Sequence, residues 1–156
     1  MIPKIAHFHW AGGGPKMSWL RRASIATFEK LNPTWEIRII RSSPEVINRG
    51  LDWAEEADYS WWKALYETGG FLVATDVISL QPMPEEWLDN ELVANLHENG
   101  RIFTFAVMGA VPGHPLFKAV TEYCDITTPS IWMQDFGVCA LEKFKDLYGK
   151  TFNLPL

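Results

Sequence analysis

The feature that most constrains the fold is the alternation of strand patterns with helical patterns along the chain. Strand patterns occupy residues 4–10, 35–41, 71–73, 91–96 and 103–110. Helical patterns occupy residues 18–31, 52–68, 115–123 and 133–148, and residues 82–90 form a loop with one helical turn. This alternation predicts an α/β sandwich with a mainly parallel sheet. The length of 156 residues, without a repeat or a linker, predicts a single domain spanning residues 1–156.

The second predicted helix is bounded by the clearest local signals in the sequence. Asp52 with Glu55 three residues later matches a capping box, in which side chains and backbone N–H groups bond reciprocally at a helix start. Gly69 is the residue type that ends helices, because it adopts a left-handed backbone at little cost. The strand at residues 71–73 therefore follows this helix directly.

Composition excludes several classes of function. The net charge is −5 and no basic cluster exceeds Arg21-Arg22, so the chain lacks the footprint of a nucleic-acid-binding protein. No apolar run reaches the ~18 residues of a membrane span, and the N-terminus lacks the sections of a signal peptide. Cys124 and Cys139 form no metal motif, which favours reduced thiols in a cytoplasmic protein. The eight Trp residues fit either core packing or a site that stacks rings.

An acidic residue interrupts the apolar segment GGFLVATDVISL, which spans residues 69–80. Asp76 lies just after the strand at residues 71–73, and ligands of open α/β sheets bind outside the carboxyl ends of strands. A carboxylate there could hold a divalent cation and, through it, phosphate oxygens. The alternative is an aspartate that only shapes the turn.

Four segments resemble, in the same order, glycosyltransferases with an Asp-x-Asp sugar-binding region. That family includes yeast outer-chain mannosyltransferases, bacterial capsular-polysaccharide enzymes and, more distantly, glucosylating clostridial toxins. The resemblance covers residues 2–117 and is carried by IPKIAHFHW, NPTWEIRII, ADYSWWKALYETGGFLVATDV and VMGAVPGHPLF. It implies a GT-A fold, a UDP- or GDP-sugar donor, a glycan or other acceptor, and transfer with retention of the anomeric configuration.

The resemblance also implies a set of site residues. Asp76 matches the last acid of Asp-x-Asp, which binds Mn²⁺ or Mg²⁺, and the metal offsets charge on the departing diphosphate. Asp58 matches an acid that hydrogen-bonds donor-sugar hydroxyls, so Asp58 and Asp76 are the expected catalytic residues. The first-strand motif, which lies by the nucleotide in this family, supplies His7, His9 and Trp10.

Two positions depart from the family pattern. Ala74 replaces the first acid of Asp-x-Asp, and Trp61 replaces an arginine that contacts the donor. Trp61 could instead stack on a sugar or base, since it shares a helix face with Asp58 and Trp62. These changes favour a second hypothesis, in which the chain binds a nucleotide-sugar or glycan without turnover.

A weakened metal site would need help from elsewhere in the chain. Asp135 and His114 are candidate extra ligands, although a helix start for Asp135 and loop packing for His114 are the favoured explanations. Gly12, in a triple-glycine segment after the first strand, could let the backbone approach a phosphate, or it could belong to a plain turn.

Overall fold

The computed structural model describes residues 1–10, 17–41, 49–96, 102–128 and 136–154, and for residues 102–105 it describes the backbone alone. The strands are β1 (Ile5–His9), β2 (Glu36–Ile40), β3 (Gly70–Val73), β4 (Leu92–Leu96), β5 (Ile102–Ala110) and β6 (Thr151–Asn153). The helices are α1 (Trp19–Leu31), α2 (Trp53–Thr68), α3 (Pro115–Ile126) and α4 (Val138–Lys143). Short 3₁₀ turns form at Glu85–Trp87 and Lys145–Leu147.

Within these residues, six strands form one sheet in the order β2-β1-β3-β5-β4-β6. Strand β1 pairs in parallel with both β2 and β3, and β4 pairs in parallel with β6. Only β5 runs the other way, since it is antiparallel to both β3 and β4. The predicted α/β fold with a mainly parallel sheet is therefore confirmed. The carboxyl ends of β1, β2 and β3 meet at one edge, which is where ligands bind in such sheets.

The sheet has an apolar layer on each face. On one face, Ala6 and Phe8 of β1 pack with Phe28 of α1. On the other, Trp62 and Leu65 of α2 pack with residues of β3 and β5 and of α3 and α4. Because successive strand residues point to opposite faces, His7 and His9 face α2 while Ala6 and Phe8 face α1.

Helix α2 begins and ends as its sequence predicts. The Asp52 carboxylate accepts from the backbone N–H groups of Ala54 and Glu55 at 2.9 Å, and the Glu55 carboxylate accepts from the Asp52 N–H. At the other end Gly69 has φ 63°, and a Cβ there would lie 2.7 Å from Pro112. This position therefore requires glycine for two reasons, backbone conformation and close packing.

One prediction near the C-terminus is wrong in detail, and one strand there is unpredicted. The helix predicted at 133–148 forms only at Val138–Lys143, and its first residues lie outside those described. It stops because the Phe144 N–H turns back to the Leu141 carbonyl at 3.1 Å, which tightens the chain into the 3₁₀ turn. Strand β6 was not predicted. It is three residues long and adds to the sheet by pairing with β4, a contact that no local pattern encodes.

Candidate functional site

The candidate site lies at the sheet edge where β1, β2 and β3 end. Strand β1 ends at His9, and Trp10 follows with its N–H bonded to the Ile40 carbonyl at the end of β2. Strand β3 ends at Val73, and the turn to Asp76 follows. The first turns of α2 lie against the same edge, because a helix that connects parallel strands runs back from their carboxyl ends. This edge gathers residues that are far apart in sequence.

The end of β1 and the start of α2 bring a buried histidine to a buried glutamate. His9 is 7% exposed and Glu56 is 8% exposed, and His9 Nε2 lies 3.7 Å from Glu56 Oε1. Burial lowers the pKa of His9 to about 4 and raises the pKa of Glu56. His9 is therefore neutral near pH 7, and the two groups do not form an ion pair there. No sequence pattern singles out Glu56, because acidic residues such as Glu55 and Glu56 are common in the first turn of a helix.

Trp61 forms the wall beside this pair. Its ring meets the His9 imidazole edge to face, with ring centroids 6.2 Å apart, and the residue is 9% exposed. It belongs to the apolar layer between α2 and the sheet. The structure thus places Trp61 next to His9, with its ring already packed against protein.

Asp58 lies on a different side of α2 from Glu56, since residues two positions apart along a helix are about 200° apart around its axis. It is 5% exposed, and its charge adds to burial in raising the pKa of Cys124 on α3 to about 12. Burial, with smaller contributions from Asp52 and Glu55, raises the pKa of Asp58 to about 8. The carboxyl is therefore protonated at neutral pH and faces α3.

His7 occupies the middle of β1, below the edge. Its Nε2 lies 2.8 Å from the Gly69 carbonyl oxygen and donates to it, since a carbonyl only accepts. The other ring nitrogen, Nδ1, is buried without a hydrogen-bond partner among the described residues. Burial lowers the pKa of His7, partly offset by the bond to Gly69. The bond joins β1 to the junction between α2 and β3.

Trp10 lies half-buried beyond the end of β1. The guanidinium of Arg21 on α1 sits over its ring at 4.7 Å from the centroid, a cation–π contact. One face of the indole is therefore covered by a side chain of α1, which fixes Trp10 at the edge of the sheet.

In the turn after β3, Ala74 packs against the core whereas Asp76 is exposed to solvent. The Ala74 N–H donates to the Ala106 carbonyl at 2.8 Å, which extends the β3–β5 pairing, and its methyl group packs against the core. Asp76 is exposed. Among the described residues, no three His, Cys, Asp or Glu side chains come together as a metal-binding group. Asp76 therefore offers a single carboxylate, which fits only a metal that takes its other ligands from substrate phosphates and water.

Of the two candidate extra metal ligands, only His114 lies among the described residues. His114 is buried at the start of α3, where its Nδ1 accepts from the Leu116 N–H at 3.3 Å, so it caps that helix. Burial also lowers its pKa. Asp135, like Gly12, lies outside the described residues.

A groove runs beside α2 on the face that carries His7. It has a volume of about 290 Å³ and carries cations on both walls, from Arg38 and Arg41 on one side and Lys63 on the other. Arg38 is already bonded to Glu36 at 2.6 Å. The groove reaches the edge of the sheet at Ile40 and Arg41 and extends along the sheet face to Thr68.

Comparisons of sequence identify no relative: no protein-family model and no curated protein matches the chain. No helix in the described ranges is both long enough and apolar enough to cross a membrane.

Comparisons of structure do find similar folds. A solved structure described as PaToxG glycosyltransferase matches with a TM-score of 0.65 and 15% identity, over 91% of this chain and 68% of that one. A solved structure described as a transferase mutant matches with a TM-score of 0.57 and 9% identity, over 99% of this chain and 94% of that one. At such low identity the likeness establishes the fold alone. The chain shares its α/β fold with these two solved structures.

Proposed function

We propose that the chain is a glycosyltransferase of GT-A type, transferring a sugar from a UDP- or GDP-sugar to a glycan or other acceptor with retention of configuration. One observation carries this proposal. The segments that resemble the glycosyltransferase motifs, around His9, Trp10 and Asp76, end at the same edge of a sheet whose fold is similar to that of a solved glycosyltransferase. That edge is where an open α/β sheet binds its ligands.

In this proposal Asp76 binds the donor diphosphate through Mn²⁺ or Mg²⁺. A divalent metal would supply Lewis-acid stabilisation of the departing diphosphate. The exposed carboxylate of Asp76 is reachable from solvent, and Mg²⁺ commonly takes one or two carboxylates with phosphates and waters. Metal binding is therefore expected to require the nucleotide diphosphate.

A second candidate is a module that binds a nucleotide-sugar or glycan without turnover. The burial of Asp58 favours it, because a protonated carboxyl that faces α3 is poorly placed to contact a donor sugar. The packing of Trp61 in the apolar layer and the loss of an acid at Ala74 also favour the binding module. This module would share the binding edge of the enzyme and differ from it in chemistry.

Calorimetry with UDP-glucose and GDP-mannose, with and without Mn²⁺, tests the binding site. The proposal predicts metal-dependent binding that Ala74→Asp strengthens and Asp76→Ala abolishes. Asp146→Ala, which removes an exposed carboxylate on a remote 3₁₀ turn, is the matched control and should bind as the parent chain does. If neither substitution at the turn after β3 changes binding, Asp76 is not part of the site.

A further inference from the structure

The pair formed by His9 and Glu56 is incomplete as it stands. Both His9 Nε2 and Glu56 Oε1 are buried, and neither has a hydrogen-bond partner among the described residues. They face each other at 3.7 Å, which is too long for a direct hydrogen bond. Folded proteins satisfy buried polar atoms with very few exceptions, so two that face one gap indicate a missing third group.

The two atoms do not compensate each other electrostatically near neutral pH. Burial disfavours the charged form of each group, which lowers the pKa of His9 to about 4 and raises that of Glu56. An attraction between imidazolium and carboxylate is thus absent at pH 7. What the pair lacks is a hydrogen-bonding atom between them.

We propose that His9 and Glu56 form a subsite for one hydroxyl group of the bound ligand, a sugar or ribose hydroxyl. An oxygen beside the line between the two atoms lies about 2.8 Å from both. A hydroxyl fits because it donates one hydrogen bond and accepts another. An ionised phosphate oxygen only accepts, so it cannot donate a hydrogen bond to either atom of the pair.

The position of the pair supports a ligand role over a purely internal one. His9 is the last residue of β1, at the edge where the candidate site lies. The Glu56 side chain is 11% exposed, so it keeps some contact with solvent at this edge. The edge-to-face contact with Trp61 holds the imidazole plane in place. The subsite rests on the proposed function, because it supplies the hydroxyl recognition that the buried Asp58 does not.

The test compares Glu56→Leu, Glu56→Gln and His9→Phe with the parent chain by calorimetry. The probes are UDP-glucose, GDP-mannose, UDP, GDP and 2′-deoxy-UDP, each with Mn²⁺. Glu56→Gln keeps a side-chain oxygen and should bind within about threefold of the parent chain. Glu56→Leu and His9→Phe should each weaken binding about tenfold, the effect of one lost hydrogen bond. The control is Glu122→Gln, an exposed glutamate on α3.

Comparing the probes shows whether the bound hydroxyl belongs to the sugar or to the ribose. Loss confined to UDP-glucose and GDP-mannose assigns the subsite to the sugar. Loss that extends to UDP and GDP, and is absent with 2′-deoxy-UDP, assigns it to the ribose. Either pattern supports the proposal if thermal unfolding shows Glu56→Leu to be at least as stable as the parent chain, because that change removes an unpartnered buried oxygen.

Two results would overturn the subsite. Unchanged binding in Glu56→Leu and His9→Phe, with a parent chain that binds the probes, refutes the subsite and leaves the proposed function standing. Unchanged binding together with a lowered unfolding temperature in these two variants would mean that His9 and Glu56 hold an internal structural water instead of a ligand hydroxyl. A parent chain that binds no probe refutes the proposed function, and the subsite falls with it.

Discussion

Replacing Asp58 by asparagine is predicted to stabilise the protein, and by more as the pH rises. The pKa of Asp58 is about 8 in the folded chain, against 3.8 for the ordinary carboxyl, and burial is the main cause. Because the folded pKa is raised, the folded state holds its proton where the unfolded chain has lost it. The contribution of Asp58 to stability is therefore fully present below pH 3.8 and is lost progressively as the pH rises to 8.

The size of the effect follows from the shift. One pKa unit corresponds to about 1.4 kcal/mol, so Asp58 costs at most about 4 kcal/mol at pH 7 and about 2 kcal/mol at pH 5. Asparagine has a similar shape and does not titrate. The stability gained by Asp58→Asn should thus grow between pH 5 and pH 7 by roughly 1–3 kcal/mol, or roughly 3–10 °C in unfolding temperature.

Urea denaturation of the parent chain and Asp58→Asn at pH 5, 6 and 7 measures this difference. Asp146→Asn, at an exposed position, controls for the removal of one negative charge. A difference that does not change with pH would refute the reasoning. So would a parent chain more stable than Asp58→Asn at pH 7, because that result would mean that Asp58 is ionised and paired in the folded state.

Three further predictions concern the fold and the site. Asp52→Ala should lower the free energy of unfolding by about 1 kcal/mol in urea denaturation, because two backbone N–H groups at the start of α2 lose their acceptor. Gly109→Ala should cost about 1–3 kcal/mol in the same assay, since the added Cβ would lie 2.4 Å from the ring of Phe71. His9 has its pKa lowered to about 4 by burial, so the parent chain loses up to about 3 kcal/mol as the pH falls from 6.5 to 4. In that pH range, His9→Phe should lack this loss, and equal pH dependence in both chains would contradict the assignment.

Much of the fold could be predicted because local sequence patterns determine its helices and most of its strands. The alternation of strand and helix patterns predicted the mainly parallel sheet, and Asp52 and Gly69 predicted where α2 begins and ends. Strand β6 could not be predicted, because three residues carry too little pattern and depend on a distant partner, β4.

The site was harder to predict, since sequence spacing shows which residues share a helix face but not what that face meets. Asp58, Trp61 and Trp62 were expected to share a face, and all three are buried. The resemblance implies that this face contacts a donor, and in the structure its Trp61 and Trp62 pack in the apolar layer with α3 and the sheet. The pair of His9 and Glu56 depends on a meeting between β1 and α2 that only tertiary structure creates.

Release of nucleoside diphosphate from UDP-glucose and GDP-mannose, in the presence of Mn²⁺, tests the central claim most directly. The account predicts slow, metal-dependent release by the parent chain. It also predicts a fall of about a hundredfold or more in Asp76→Ala, because a metal that offsets diphosphate charge contributes several kcal/mol to the transition state. Equal release by both chains would contradict the role of Asp76. Binding of the donors without any release, across a panel of acceptors, would contradict the transferase and leave the binding module.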